Sequence, residues 1–96
     1  MIKIVAKHTI KQGKINDFVA TIKPLIKETN QNHRGCIDYE LFQDMENPLI
    51  FTMIEEWENQ SFLGEHMKYE LFKETIANLD AYLDRPVEIN RYQRVD

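Results

Sequence analysis

Hydrophobic and polar residues alternate along this chain with two different periods. A period of two, typical of strands, runs from Ile2 to Ile10, from Gly35 to Asp44 and from Val87 to Tyr92. A period of three to four, typical of helices, places the apolar residues between Ile15 and Thr29 on one face. Because Pro24 lies inside this pattern and removes a backbone hydrogen bond, we expect one helix with a kink.

The remaining segments predict one more strand and a helical region in two parts. The stretch from Leu49 to Trp57 is almost continuously apolar, which is typical of a strand that is covered on both faces. Asn59 is a predicted N-cap for a short helix that carries Phe62 to Met67. After a break near Tyr69, a further helix is predicted as far as Leu83.

The order β-α-β-β-α-β predicts an α+β fold of the ferredoxin-like type, with a four-stranded antiparallel sheet in a single domain over residues 1–96. Helices would cover one face of this sheet. The other face would then expose Phe, Met, Ile and Trp side chains, which small monomers rarely do. We therefore expect a homodimer that forms through the sheet face and closes a dimeric α+β barrel.

Composition narrows the classes of protein. The 96 residues carry a formal net charge of −4, and the third strand ends in acids, which disfavours nucleic-acid binding. A single cysteine excludes an internal disulfide framework, and no apolar stretch is long enough to cross a membrane or form a signal peptide core. We expect a cytoplasmic protein without a membrane partner. The three histidines lack metal-ligand spacing and no glycine-rich phosphate loop occurs, so no metal or other cofactor is expected.

Several short motifs, taken in order, resemble the antibiotic biosynthesis monooxygenase family over nearly the whole chain. They are Lys11-Gln12-Gly13-Lys14, the segment from Gly35 to Asp44, Glu55-Glu56-Trp57, and Glu65-His66-Met67 followed by Phe72. The resemblance implies small dimeric α+β barrels with a ligand cavity between sheet and helices. It also implies oxidation of quinols or other electron-rich aromatics by O2 without flavin, metal or nicotinamide. Relatives on the same scaffold perform other reactions, so the fold leaves the activity open.

The chain departs from the family at two informative positions. Many members have a second histidine five residues after the position of His66, where this sequence has Leu71. The haem-degrading relatives resemble one another in an Asn, a Trp and a His, and those places hold His8, His66 and Ile76 here. The missing axial ligand at Ile76 argues against haem degradation.

Two of the three histidines are candidates for catalysis. Removal of a proton from a phenol suits a histidine, whose ordinary pKa is near 6.5, and His66 lies beside the apolar stripe of its helix. The alternative is a structural histidine at a helix C-terminus. His8 shares a strand face with apolar residues and could donate to a substrate oxygen, or could instead bridge strands. His33 follows a polar run, so we expect it to be exposed and without function.

Aromatic side chains supply the expected walls of a substrate site, with Tyr39 or Tyr92 also positioning oxygen atoms. The predicted substrate-binding residues are Trp57, Tyr39, Phe51, Phe62, Phe72 and Tyr92. Each could equally belong to the core or to a dimer interface. Glu55 and Glu56 must point to opposite strand faces, and we interpret one of them, together with Asp38 or Glu40, as a partner in a structural ion pair with Arg85, Arg91 or Arg94 across subunits.

The leading hypothesis is therefore a cofactor-independent monooxygenase that oxidises a small quinol-like or phenolic compound, with His66 as the base. One alternative is a dimer that binds a small aromatic or quinone-like ligand without turning it over. Another is an isomerase that uses His66 for proton transfer without oxygen. Because apolar residues occupy both faces of the strands, the sequence leaves open which face lines the pocket.

Overall fold

The chain folds in the predicted order of elements, in a computed structural model that describes residues 1–96. The strands are β1 (Ile2–Thr9), β2 (Cys36–Gln43), β3 (Ile50–Trp57) and β4 (Glu88–Gln93). The helices are α1 (Ile15–Asn32), α2 (Gln60–Lys68) and α3 (Glu70–Leu79), and a 3₁₀ turn (Asp80–Tyr82) follows α3. The predicted break at Tyr69 and the continuation of α1 through Pro24 are both confirmed.

The four strands form one antiparallel sheet in the order β2-β3-β1-β4. This arrangement confirms the ferredoxin-like α+β fold. α1 buries four side chains and covers one face of the sheet. They are Phe18, Ile22, Leu25 and Thr29. The sheet therefore has an inner face, covered by helices, and an outer face that this chain leaves uncovered.

β3 differs from its prediction in one respect. Its residues alternate between buried and partly exposed, so a single chain covers only one of its faces. The buried inner row is Phe51, Met53, Glu55 and Trp57, whereas the outer row is Ile50, Thr52, Ile54 and Glu56. Trp57 and Met53 were expected on the face that the helices do not cover, but both lie in the core. The outer face is still partly apolar, because Val5 pairs with Ile54 there and Phe42 lies on the neighbouring strand.

A tight contact joins the start of β2 to α2. Asn59 caps α2 as predicted, because its side-chain oxygen accepts a hydrogen bond from the backbone N–H of Phe62 at 3.0 Å. This cap holds the Phe62 ring over Gly35, which has a φ of +77°. An added Cβ at Gly35 would lie 2.2 Å from Cγ of Phe62. Glycine is therefore required here both for its backbone conformation and for its size.

Two kinds of feature are absent. No group of three or more His, Cys, Asp or Glu side chains is arranged to bind a metal ion. None of the three helices has the length and apolar character that crossing a membrane requires.

The thiol of Cys36 stays protonated, because burial and the nearby carboxylates of Glu55 and Asp38 raise its pKa to about 11.

We expect Gly35→Ala to lower the free energy of unfolding by about 2–4 kcal/mol, through strain at positive φ and overlap with Phe62. Urea denaturation would measure this loss. Gly64→Ala is the matched control, since Gly64 lies within α2 with no atom near the added Cβ. That control should stabilise the protein by roughly 0.5–1 kcal/mol. Equal effects of the two substitutions would contradict the packing described here.

Candidate active site

A cavity of about 230 Å³ lies between the inner face of the sheet and the helices. Twelve of its 16 lining residues are hydrophobic, which suits a small aromatic molecule. The other four are His8, Glu55, His66 and Arg91, and Tyr39, counted among the twelve, adds a hydroxyl group. The inner face of the sheet, which the sequence could not distinguish from the outer one, is therefore the face that lines the pocket.

His66 is enclosed by aromatic rings at one end of this cavity. Only 1% of its surface is exposed, and the ring centroids of Trp57, Phe72 and Tyr39 lie 4.6, 4.7 and 5.1 Å from its own. Its Nδ1 lies 2.7 Å from Nδ1 of His33, while its Nε2 has no hydrogen-bond partner. Burial, and to a lesser degree His33, lower the pKa of His66 to about 3. His66 is thus a neutral imidazole at neutral pH, and its buried Nε2 has no hydrogen-bond partner within the protein.

His33 corrects a prediction from the sequence. It is not exposed: only 5% of its surface is accessible, and its ring stacks on Tyr69 at 3.9 Å. Burial lowers its pKa, opposed by the charge of Glu28. The polar residues before His33 suggested a solvated loop, but His33 is the C-terminal cap of α1 and turns back toward α2. No periodicity signals such a position, because it lies between two elements.

Glu55 is the functional candidate that the sequence analysis missed. It is buried, and its Oε1 accepts a hydrogen bond from Trp57 Nε1 at 3.0 Å. Burial raises the pKa of Glu55 to about 7, against the opposing effect of this hydrogen bond. Of the two adjacent glutamates, Glu56 on the outer face is the one beside an arginine, 3.9 Å from Arg94 of the same chain, and an ion pair across subunits stays a prediction. The sequence signal that could have identified Glu55 is an acidic residue among the apolar residues of the inner row of β3.

Cross-strand pairing places the polar groups of the cavity floor in one row. Tyr39 pairs with Glu55, Glu55 with Ile4, and Ile4 with Arg91, so the row crosses all four strands. Because neighbouring strands are about 4.8 Å apart, the backbones of Glu55 and Arg91 are about 10 Å apart. Arg91 also donates a hydrogen bond to Gln60. Burial raises the pKa of Tyr39, so its hydroxyl remains a hydrogen-bond donor.

His8 lines the cavity but is also tied to the backbone. Its Nδ1 lies 3.2 Å from the carbonyl oxygen of Phe51 and must carry the proton, because a carbonyl oxygen can only accept. The strand-bridging interpretation therefore describes this contact. Burial lowers the pKa of His8, so its Nε2 is an unprotonated acceptor. In this neutral form Nε2 of His8 can accept a hydrogen bond from a ligand but cannot donate one, and a role of His8 in catalysis stays a prediction.

The predicted aromatic residues separate into three groups. Phe72 and Tyr39 line the cavity, and Trp57 stands behind His66. Phe51 packs on Phe18 with ring centroids 5.5 Å apart and does not line the cavity. Phe62 covers Gly35 and does not line the cavity. Tyr92 does not line it either, because it lies on the outer face, where it is 52% exposed. Tyr92 cannot position a ligand in the cavity of its own chain.

Residues 1–78 match the family model described as antibiotic biosynthesis monooxygenase. The chain belongs to this family. A conserved protein from Methanosarcina mazei Go1 shares 41% of its sequence with it, with a TM-score of 0.94 over 98% of this chain and 92% of the other. A crystal structure of an antibiotic biosynthesis monooxygenase matches at 27% identity, with a TM-score of 0.93 over the full length of both chains.

A third solved structure, that of a Pseudomonas aeruginosa protein, matches this family member at 25% identity and a TM-score of 0.89. The match covers 99% of this chain and 94% of the Pseudomonas aeruginosa chain. No protein with curated function matches the sequence. The family membership and the fold are thus established, and the chemistry must be argued from the cavity.

Glu55 should leave a specific mark on the pH dependence of stability. Between pH 4.5, the ordinary pKa of a glutamate, and pH 7, the unfolded chain ionises at this position while the folded protein stays protonated. The free energy of unfolding contributed by Glu55 therefore falls as pH rises through this window. The lowered pKa values of His8, His33 and His66 give the opposite slope below pH 6.5.

The useful quantity is therefore the difference in unfolding free energy between the wild type and Glu55→Gln. We expect this difference to fall by about 3 kcal/mol across the window, as measured by urea denaturation at several pH values. Glu56→Gln, one residue along on the outer face, is the matched control. If the difference in unfolding free energy between the wild type and Glu55→Gln does not change with pH, the fold does not hold Glu55 protonated.

Proposed function

We propose that this protein is a cofactor-independent monooxygenase that oxidises a small quinol-like or phenolic compound with O2. The observation that carries the proposal is a neutral His66 in the wall of an apolar cavity, with an Nε2 that has no partner in the protein. In the tautomer that carries its proton on Nδ1, this nitrogen can accept the phenolic proton. Tyr39 and Arg91 supply donors on the cavity floor that would hold the resulting anion.

The chemistry follows from the anion. A quinol that has lost a proton to His66 is electron-rich enough to reduce O2, and radical recombination at a ring carbon forms a peroxide. One oxygen atom stays on the ring, the other leaves as water, and the product is a hydroxylated quinone. The quinol supplies all four electrons. A partly protonated Glu55 is suited to give a proton to the departing oxygen, since its pKa is about 7.

Glu55 also favours one alternative. A carboxyl group and a neutral histidine that line the same cavity are the equipment of an isomerase, which moves a proton from one carbon of a substrate to another. Such an enzyme would turn over without O2. A protein that only binds an aromatic ligand would show neither activity, so anaerobic and aerobic assays distinguish the three.

The same proposal includes a homodimer formed through the outer face of the sheet. This face carries apolar side chains at its centre, where Val5 lies opposite Ile54, and a 48% exposed Phe42 nearer one edge. A second copy would cover these side chains and complete a dimeric α+β barrel. Tyr92 would then lie within the dimer interface.

We expect His66→Gln to lower the rate of oxygen consumption at least about a hundredfold with a reactive quinol, because glutamine cannot accept the proton. An oxygen electrode with a panel of hydroquinones and polyphenols measures this rate against the autoxidation blank. Lys68→Gln, an exposed change in the same helix, is the control and should retain activity. If His66→Gln consumes oxygen at the wild-type rate, His66 is not the base.

The dimer is tested by a charge at the centre of the outer face. Ile54→Lys would place an ammonium group in the apolar interface and should convert a wild-type dimer to a monomer at micromolar concentration. Sedimentation velocity measures the change, and Lys73→Ala on α3 is a control outside the sheet. A wild-type protein that sediments as a monomer at this concentration would contradict the dimer.

A further inference from the structure

A second histidine contacts the proposed base outside the cavity. Nδ1 of His33 lies 2.7 Å from Nδ1 of His66, and both rings are at least 95% buried. His66 lines the cavity, whereas His33 does not and packs instead against Tyr69. The two rings therefore connect the cavity to the end of α1 through one short hydrogen bond.

Two nitrogens at this distance must share a proton. A neutral imidazole has one N–H, so in the neutral pair one Nδ1 donates and the other accepts. When His66 Nδ1 donates, His66 Nε2 is an unprotonated base and His33 Nε2 carries a proton. When His33 Nδ1 donates, these states are reversed. The protonation of His66 Nε2, which decides whether it can act as a base, is thus coupled to His33.

The surroundings favour a positive charge on His33 over one on His66. The carboxylate of Glu28, on the same helix as His33, favours the charged form of that ring. His66 is surrounded by Trp57, Phe72 and Tyr39, none of which carries a charge to balance an imidazolium. Both histidines lie at the C-terminal end of a helix, so helix dipoles do not distinguish them.

We propose that His33 completes the base as a proton relay, so that a proton accepted by His66 Nε2 leaves the imidazolium charge on His33. The substrate O–H bond breaks and a bond to His66 Nε2 forms. The shared proton then moves from His66 Nδ1 to His33 Nδ1, and His66 stays neutral. The reverse shift returns this proton to the departing oxygen, which takes its second proton from Glu55, and Glu55 regains a proton from the ring carbon that has been oxygenated. This relay deepens the proposed function and rests on it for its role in turnover.

The charged and titratable groups that face either ring or share the cavity with His66 are Glu28 on α1, Tyr39 on β2, Glu55 on β3, Tyr69 between α2 and α3, and Arg91 on β4. Arg34 and Glu65, which adjoin the two histidines in sequence, are exposed and pair with each other at 3.1 Å. Among them, the Glu28 carboxylate is the one whose charge acts on His33. Substitution of Glu28 therefore tests the direction of the relay.

The test is an acid titration of ¹⁵N-histidine-labelled, ligand-free protein, followed in long-range ¹H–¹⁵N NMR spectra. Such spectra distinguish protonated from unprotonated ring nitrogens. We expect the pair to take up one proton first, after which both nitrogens of His33 are protonated and His66 carries only its Nε2 proton. A doubly protonated His66 beside a neutral His33, or two independent titrations, would overturn the proposal.

Two variants extend the test. His33→Gln keeps a hydrogen-bonding side chain that cannot take a proton, so the ring of His66 should show no change in protonation over the range in which the wild-type pair becomes charged. A change in the protonation of His66 at the wild-type midpoint in this variant would overturn the relay. Glu28→Gln should move the midpoint of the pair to more acidic pH, whereas Asp17→Asn at the other end of α1 should not. Equal midpoints for these two variants would also contradict it.

The titration distinguishes failure of the relay from failure of the proposed function. It contains no substrate and no step that depends on O2, so an inactive protein can still show the shared proton. Conversely, oxygen consumption with independent histidine titrations would leave the monooxygenase standing and remove the relay. If His33→Gln does not fold, the wild-type titration alone decides where the charge resides.

Discussion

Burial of ionisable side chains without a counter-charge is the constraint on which this site depends. The helices cover one face of the sheet and leave a largely apolar cavity. In this environment the charged forms of His66 and Glu55 are disfavoured, so the pKa of His66 falls to about 3 and that of Glu55 rises to about 7. A neutral base and a protonated acid then face the same space. Neither can carry a full charge cheaply, which explains why a hydrogen-bonded partner such as His33 matters.

The architecture could be predicted from the sequence because it depends on local periodicity. The change from a period of two to a period of three to four after Ile10 marks the start of α1, and Asn59 marks α2 by its capping chemistry. β3 was harder, since a continuous apolar run hides its alternation. Only the register with β1 and β2 shows that Trp57 faces inward and Ile54 outward.

The site was predictable only where one element carries the signal. His66 follows the apolar stripe of α2, and its position in the cavity agrees with that pattern. His33 belongs to no stripe, because it caps α1 and reaches His66 through a contact 33 residues away in sequence. The sequence could not show which of Glu55 and Glu56 lies near an arginine, because their strand faces depend on the register; Glu55 instead accepts a hydrogen bond from Trp57 Nε1. Tyr92 carries a suitable hydroxyl group, but the alternation of side chains along β4 places it on the outer face of the sheet.

Membership of the antibiotic biosynthesis monooxygenase family establishes the scaffold, and the neutral cavity supplies the argument for oxygenation. Incorporation of ¹⁸O is the most direct test of that argument. The purified, chelator-treated protein would be given a hydroquinone under ¹⁸O2 and the product analysed by mass spectrometry. The account predicts one ¹⁸O atom in each hydroxylated quinone. A product without ¹⁸O, or the same turnover in the absence of oxygen, would contradict it.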